Sequence, residues 1–252
     1  MTAPTFIVDF PLTAAAEVMV TGSEGRHAVT VKRLTPGEVI SLVDGHGTRA
    51  TATVTATTGK DQLHAHIDAV VHIPAPTPTV SVVQAIGKSE RAELTVDLLT
   101  EAGVDEIIPW AASRSIGSWA GKAEKARAKW INAATQAAKQ ARRAWIPQVG
   151  SLASTADVCA RVRAENTVGL VLHEEASVPL VEALPAPAPA SIVLIVGPEG
   201  GISPAEVEQF VAAGARPVRL GPEVLRTATA GMVALAVIGA YTERWNGRNH
   251  SE

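Results

Sequence analysis

Three prolines within five residues, Pro74, Pro76 and Pro78, separate two stretches of this chain whose residue patterns belong to different kinds of sheet. Proline removes a backbone donor and favours extended backbone, so residues 74–78 are expected to form an interdomain linker. On the N-terminal side, short runs rich in Val, Ile and Thr occur at residues 6–10, 39–43, 50–57 and 62–73. Turn chemistries bound them: Pro36-Gly37, Asp44-Gly45 and Thr58-Gly59-Lys60-Asp61. One short helix is predicted at residues 25–34. Residues 1–73 therefore read as a small β-barrel-like domain.

From residue 79 onwards the pattern alternates. Strand-like runs at residues 80–86, 107–109, 168–173, 192–196 and 217–220 are separated by helical ones. The helices are expected to end before Gly103 and to cover residues 122–143, 203–214 and 227–245. Ser203-Pro204-Ala205-Glu206 is a strong helix start, with a capping serine, proline at the first position and glutamate three residues after the cap. Alternation of this kind predicts an α/β domain over residues 79–252 with a mostly parallel sheet.

In 252 residues, 46% are hydrophobic and 19% charged, a globular balance with ample apolar content for real cores. A net charge of -3 argues against a polycation that coats nucleic acid, so any such face must be a local patch. Residues 114–143 supply one: Arg114, Lys122, Lys125, Arg127, Lys129, Lys139, Arg142 and Arg143 stand against the single acid Glu124. The competing reading is a solvated helix face. Trp119, Trp130 and Trp145 lie in the same segment, either to stack on bases or to pack in the core. The lone Cys159 excludes an intramolecular disulfide and a cysteine zinc site, and His64 with His66 reads as a solvated strand face, so no metal is expected. Residues 1–20 carry Asp9 and Glu17 and lack a basic n-region, and the apolar stretch 231–241 is too short to span a bilayer. A cytoplasmic protein without a membrane role is the expectation.

Loops follow three late strands: His173-Glu174-Glu175, Gly197-Pro198-Glu199-Gly200-Gly201 and Leu220-Gly221-Pro222. Ligands of α/β sheets sit at the carboxyl ends of strands, so these loops should meet at one site. Three glycines in five residues let backbone N–H groups approach a ligand closely. The loop is neither a P-loop nor a dinucleotide fingerprint, and a strand-to-helix turn that merely needs glycine is the alternative.

The order of the pieces adds to this. Gly197-Pro198-Glu199-Gly200-Gly201, then Leu220-Gly221, then residues 224–230 (VLRTATA) resemble the C-terminal signature of the ribosomal RNA uridine N3-methyltransferase family of the SPOUT superfamily. Gly87-Lys88, Glu101-Ala102-Gly103-Val104, Ser113-Arg114-Ser115 and Gln140-Ala141-Arg142-Arg143 fall in the same order. Gly25-Arg26-His27 and Arg33-Leu34 are similar to that family's small PUA-like RNA-binding domain. The resemblance covers almost the whole chain. Two positions depart from it: Ala228 stands where the family usually has Glu, and Ala141 where it usually has Ser, so neither position offers a catalytic base.

The resemblance implies a C-terminal α/β-knot domain with a trefoil knot, a homodimer formed through that domain, and methylation of N3 of a specific uridine in 16S ribosomal RNA within the assembled small subunit. It implies S-adenosylmethionine as cofactor, held by Leu172, His173, Gly197, Pro198, Glu199, Gly200, Gly201, Leu220, Gly221, Leu225, Arg226 and Thr227. RNA would be met by Arg26, Lys32, Arg33, Lys88, Arg114, Gln140 and Arg143.

The imide N–H is a weak acid, so the site must stabilise a developing anion and accept a proton. Arg226 and Arg143 are the candidates for the first task, and Glu199 is the nearest carboxylate for the second. Against these stand a salt bridge closing the last helix for Arg226 and a loop-shaping role for Glu199. Alternative functions are a knotted methyltransferase acting on another ribosomal or transfer RNA nucleotide, and a non-catalytic PUA-like RNA-binding protein.

Overall fold

The computed structural model describes residues 3–87 and 89–245. Two compact units emerge, Met1–Ala75 with Ala138–Ile146, and Pro76–Ala137 with Pro147–Glu252.

The first unit is built on a five-stranded mixed sheet, ordered β1-β3-β4-β5-β2. Its strands are β1 (Thr5–Ile7), β2 (Glu17–Val20), β3 (Val39–Val43), β4 (Thr48–Thr58) and β5 (Gln62–His72). Period-two alternation sends Ala50, Ala52 and Val54 of β4 and Leu63, Ala65 and Ile67 of β5 into one core with Phe6, Ile40 and Leu42. His64 and His66 fall on the opposite face, where His66 Nδ1 lies 2.8 Å from Glu17 Oε1. The predicted helix at residues 25–34 is instead α1 (Gly22–Arg26) running into one π turn, His27–Val31. Arg33, at φ +57°, ends it. Gly25 cannot be anything larger: a Cβ there would fall 2.0 Å from the Asp61 carbonyl oxygen. Strand β2 lacks a run long enough to be read from sequence and exists because β5 offers it an antiparallel edge.

Residues 138–146 join this unit although they lie far along the chain. Lys139 Nζ sits 2.7 Å from both carboxylate oxygens of Glu24 and 5.2 Å from the centre of the Phe6 ring. Trp145 donates its indole N–H to Ile73 O at 2.8 Å.

The second unit is a six-stranded sheet, parallel throughout, ordered β11-β9-β10-β6-β7-β8. The strands are β6 (Thr79–Ala85), β7 (Glu106–Trp110), β8 (Gln148–Val149), β9 (Thr167–Leu172), β10 (Ser191–Val196) and β11 (Arg216–Val218). Both faces are apolar, as a parallel sheet covered on two sides requires. Val80, Val82, Ile107, Leu170, Ile192 and Leu194 pack on one face with Leu99, Trp130, Leu180, Leu235 and Ile238. These come from α2 (Ser89–Glu101), α3 (Ala123–Gln140), α5 (Leu180–Ala183) and α7 (Thr227–Tyr241). Val83, Ile108, Trp110, Val171, Val193 and Ile195 pack on the other, with Val158 and Val162 of α4 (Thr155–Val162) and Phe210 of α6 (Pro204–Ala212).

Three sequence expectations change here. Helix α3 stops at Gln140 rather than residue 143, because Arg142 adopts φ +55°. Helix α7 stops at Tyr241 rather than residue 245. There the Thr242 hydroxyl donates to Ile238 O at 2.7 Å and the chain turns back, so that Arg244 pairs with Asp105 at 2.8 Å. Helix α4 is an addition to the predicted elements, although Ser154 and Asp157 form a capping box at its start and Val158, Cys159 and Val162 give it a buried face. Among the described residues no helix is long and apolar enough to cross a membrane.

Candidate functional site

In the second sheet the chain moves outward from β6 through β7 to β8, then returns to the other side of β6 with β9, β10 and β11. At such a reversal the loops leaving adjacent strands part in opposite directions and open a crevice at the carboxyl edge. A cleft of about 980 Å³ lies there. It is lined by Gln84 in β6 and Gly87 after it, Leu172 at the end of β9 and His173 after it, residues 197–201 after β10, and residues 219–227 after β11. Every residue proposed from sequence to hold the cofactor is in this lining, and so is Arg114.

The glycine loop is shaped by close approaches. A Cβ at Gly197 would lie 2.6 Å from Ile202 Cγ1, and one at Gly200 would lie 3.3 Å from the Arg114 carbonyl oxygen. Gly201 takes φ +73°, a conformation that costs a side-chain-bearing residue about 1–2 kcal/mol. Arg114 reaches back, its Nη1 donating to Gly200 O at 3.4 Å. The Glu199 carboxylate leans over the preceding strand end, since a Cβ at Gly87 would fall 2.9 Å from Glu199 Oε1.

Glu206 is legible in the sequence only as a helix-capping residue. Its carboxylate, 5% exposed, accepts from the Ser203 hydroxyl at 2.7 Å and from the Ser113 N–H and hydroxyl at 2.7 and 2.8 Å. It therefore ties the loop that carries Arg114 to the start of α6, directly behind the glycine loop. Burial pushes this carboxyl up, but the hydrogen bonds from Ser203 and Ser113 outweigh burial and hold it below the ordinary value. A depressed carboxyl stabilises the fold above its unfolded-state value, about 4.5, and the contribution fades as pH falls through the lower folded-state value. Glu206→Gln is expected to cost about 2 kcal/mol at neutral pH, a melting-point drop of about 4–8 °C. Thermal melts from pH 7 down to pH 3 should show the gap between variant and wild type closing below pH 4.5. A gap that is constant across this range would exclude the ionised network.

Arg226 precedes α7 and is exposed. Its side chain makes no ion pair or hydrogen bond among the described residues, so the salt bridge considered for it is not formed. Gln140 and Arg143 belong to the first unit, as do Arg26, Lys32 and Arg33, which are exposed on and after α1 and the π turn. Lys88 lies outside the described residues. Trp119 and Trp130 are not base-stacking platforms. They are 7% and 3% exposed and pack edge to face at 5.0 Å.

Sequence reasoning missed Gln84. It lies near the end of the central strand β6, is 2% exposed, and its Oε1 has no hydrogen-bond partner among the described residues. An orphan acceptor of this kind costs about 1–3 kcal/mol unless a ligand supplies a donor. A glutamine inside the mostly apolar run at 80–86 was the available signal.

Comparison with known proteins agrees with this geometry. Residues 74–239 match a family model described as RNA methyltransferase domain, and residues 20–68 one described as RNA methyltransferase PUA domain. The chain is 44% identical over 250 residues to the "Ribosomal RNA small subunit methyltransferase E" of Mycobacterium bovis, covering 98% of this chain and 95% of that protein. The protein of the same name from Bacillus subtilis is 28% identical over 235 residues, 90% of this chain and 91% of the relative. Among solved structures, the Neisseria gonorrhoeae protein of that name, bound to S-adenosyl methionine, superposes with a TM-score of 0.85 at 26% identity, over 95% of this chain and 98% of that one.

Proposed function

The chain belongs to the ribosomal RNA small subunit methyltransferase E family, and from that premise we propose that it methylates N3 of one uridine in 16S ribosomal RNA. S-adenosylmethionine is its cofactor. The observation that carries the reading is the convergence of the loops after β9, β10 and β11 on one cleft at the carboxyl edge of a parallel sheet.

The residues present fit that cofactor. Gln84 Oε1, without a partner among the described residues, offers an acceptor in the cleft lining, and the side-chain-free edge at Gly200 leaves backbone groups open to close approach. Leu172, Gly197, Pro198, Gly200, Gly201, Leu220, Gly221, Leu225 and Thr227 would hold it, with His173, whose Nδ1 accepts from the Glu175 N–H at 3.3 Å, at the rim. When bound, it supplies an electrophilic methyl group.

The protein's own part is to orient the uracil and manage its charge. Loss of the N3 proton leaves negative charge on the two carbonyl oxygens of the ring, and an arginine aimed at one of them lowers the barrier. Arg226, exposed in the cleft lining and without a side-chain partner among the described residues, is placed for that role. Glu199 either accepts the proton or holds the loop over Gly87. The uracil must leave any helix it occupies to reach the cleft. Arg26, Lys32 and Arg33 of the small domain would hold the RNA backbone, which positions the substrate without performing chemistry.

The assignment extends to assembly and place. Helix α7 buries Ala228, Ala230, Gly231, Ala234, Leu235, Ile238 and Gly239, and leaves Met232, Val233 and Val237 half-buried and Tyr241 exposed. Val224 and Trp245, at either end, are also exposed. This second apolar face suits a homodimer through the larger unit, whose loops we take to be threaded as a trefoil knot. The enzyme would act in the cytoplasm on the assembled small subunit, with Arg114, Gln140 and Arg143 at the RNA.

Mass spectrometry of ribosomal RNA from a strain lacking the protein decides the matter. The expected result is loss of one N3-methyluridine from 16S RNA and its return with the wild-type chain. Loss of a different modified nucleotide would favour another RNA target, and no change would favour a non-catalytic RNA-binding role.

A further inference from the structure

A second cavity, of about 670 Å³, lies beside the cofactor cleft and shares Gly87, Ala92 and Trp130 with it. Its size is within the range of about 300–1,000 Å³ typical of small-ligand sites. We propose that it receives the nucleotide adjacent to the target uridine, with the phosphate held by Lys122, Lys125 and Lys129 and the base against Ile116. This rests on the reading of the neighbouring cleft as the site of uridine methylation.

One wall of the cavity is cationic. Lys122 precedes α3, and Lys125 and Lys129 follow at spacings of three and four, which puts all three on one face. None makes an ion pair or side-chain hydrogen bond among the described residues. The one acid in the first turn, Glu124, is paired with Arg127 at 3.8 Å, and Glu93 is a single carboxylate in the lining against three ammonium groups. Like charges at this spacing weaken a helix by a few tenths of a kcal/mol per pair, and cations near its start oppose its dipole. Fold stability therefore gives no reason to collect them here, whereas a polyanion does.

The lining outside α3 is built rather than incidental. The loop at residues 115–118 lies so close to the end of β6 that a Cβ at Gly117 would fall 2.3 Å from Gly87 O and 2.8 Å from Ile86 Cγ2. The edge-to-face pair of Trp119 and Trp130 also lines the cavity. Ile116 projects from this closely packed loop, 62% exposed at the cavity rim. A cavity lined by an exposed apolar side chain and by three lysines matches the two halves of a nucleotide, a flat base and an anionic phosphate. The shared wall at Gly87 makes it continuous with the place where the flipped uracil would sit. A strand leaving that uracil would enter here.

The test is a salt titration of binding to 16S ribosomal RNA by the full-length protein and by Lys122→Ala/Lys125→Ala/Lys129→Ala. Losing the contact to that one phosphate of a single-stranded segment should reduce the slope of log K against log salt by about 0.7. S-adenosylmethionine affinity by calorimetry should stay unchanged, and a triple-arginine variant should restore the slope. Ile116→Ser should lower kcat/KM for RNA severalfold with the salt slope unaltered. If the wild type methylates 16S RNA and the triple-alanine slope equals its own, this inference is overturned and the functional reading stands. If the wild type neither binds nor methylates 16S RNA, both fall.

Discussion

Replacing Gly200 with valine is expected to lower S-adenosylmethionine affinity by about a hundredfold or more, equivalent to about 2.7 kcal/mol, while leaving the fold in place. A Cβ at this position already meets Arg114 O at 3.3 Å and Arg114 Cβ at 3.4 Å, a tight but tolerable contact. The two further carbons of valine press further on the Arg114 loop or enter the cleft that Gly200 lines. The first displaces a loop that Glu206 holds in place, and the second occupies space needed for close backbone approach. Gly200 is exposed and does not have positive φ, so the melting temperature should move by only a few degrees. Gly214→Ala is the contrasting control. It stands at φ +104° with nothing within 4 Å of a Cβ, so it should lose about 1–2 kcal/mol of stability and bind the cofactor normally. Calorimetric titration of both variants separates the cases, and undiminished affinity in Gly200→Val would refute the cofactor assignment of this loop.

The second large effect concerns assembly. Arg143→Ala is expected to reduce methylation roughly a hundredfold or more, the usual scale for removing a group that stabilises transition-state charge. If the proposed homodimer shares its sites, Arg143 of one subunit serves the cleft of the other. Mixing Arg143→Ala with Gly200→Val, each nearly inactive alone, should then restore activity. Random pairing makes half the dimers hybrid, and each hybrid keeps one intact site of two, so about one quarter of wild-type activity is expected. Hybrid dimers demonstrated by differential tagging but showing no recovery would refute a shared site, and a monomer by light scattering would refute the dimer itself.

Much of this architecture could be read before any coordinates. The alternation of apolar runs with capped helices announces a parallel sheet because both periodicity and capping are local properties. Ser203 and Glu206 encode a helix start whatever surrounds them, and the box forms. The glycine loop is legible for the same reason, since residues 197–201 follow a strand and precede that helix. Order then places three loops at the same edge of one sheet, and the cleft collects the residues expected there.

What escaped was decided between residues far apart in the chain. Strand β2 is too short to declare itself and exists by pairing with β5. Helix α3 ends where Arg142 turns, and Lys139 at its end packs with the small domain around Glu24 and Phe6, 115 or more positions away. The sequence shows Glu206 as a cap, but only the fold brings Ser113, 93 residues away, onto the same carboxylate. Trp119 and Trp130 carry the same aromatic signal whether they stack on bases or on each other, and burial settled it. Sequence by itself determined most element types, the loop chemistry and the family resemblance, because spacing and capping are written in neighbouring residues. Tertiary structure alone decided which carboxylates, strand edges and aromatic rings find partners, because a buried polar or apolar group is satisfied by whatever the fold carries to it across the chain.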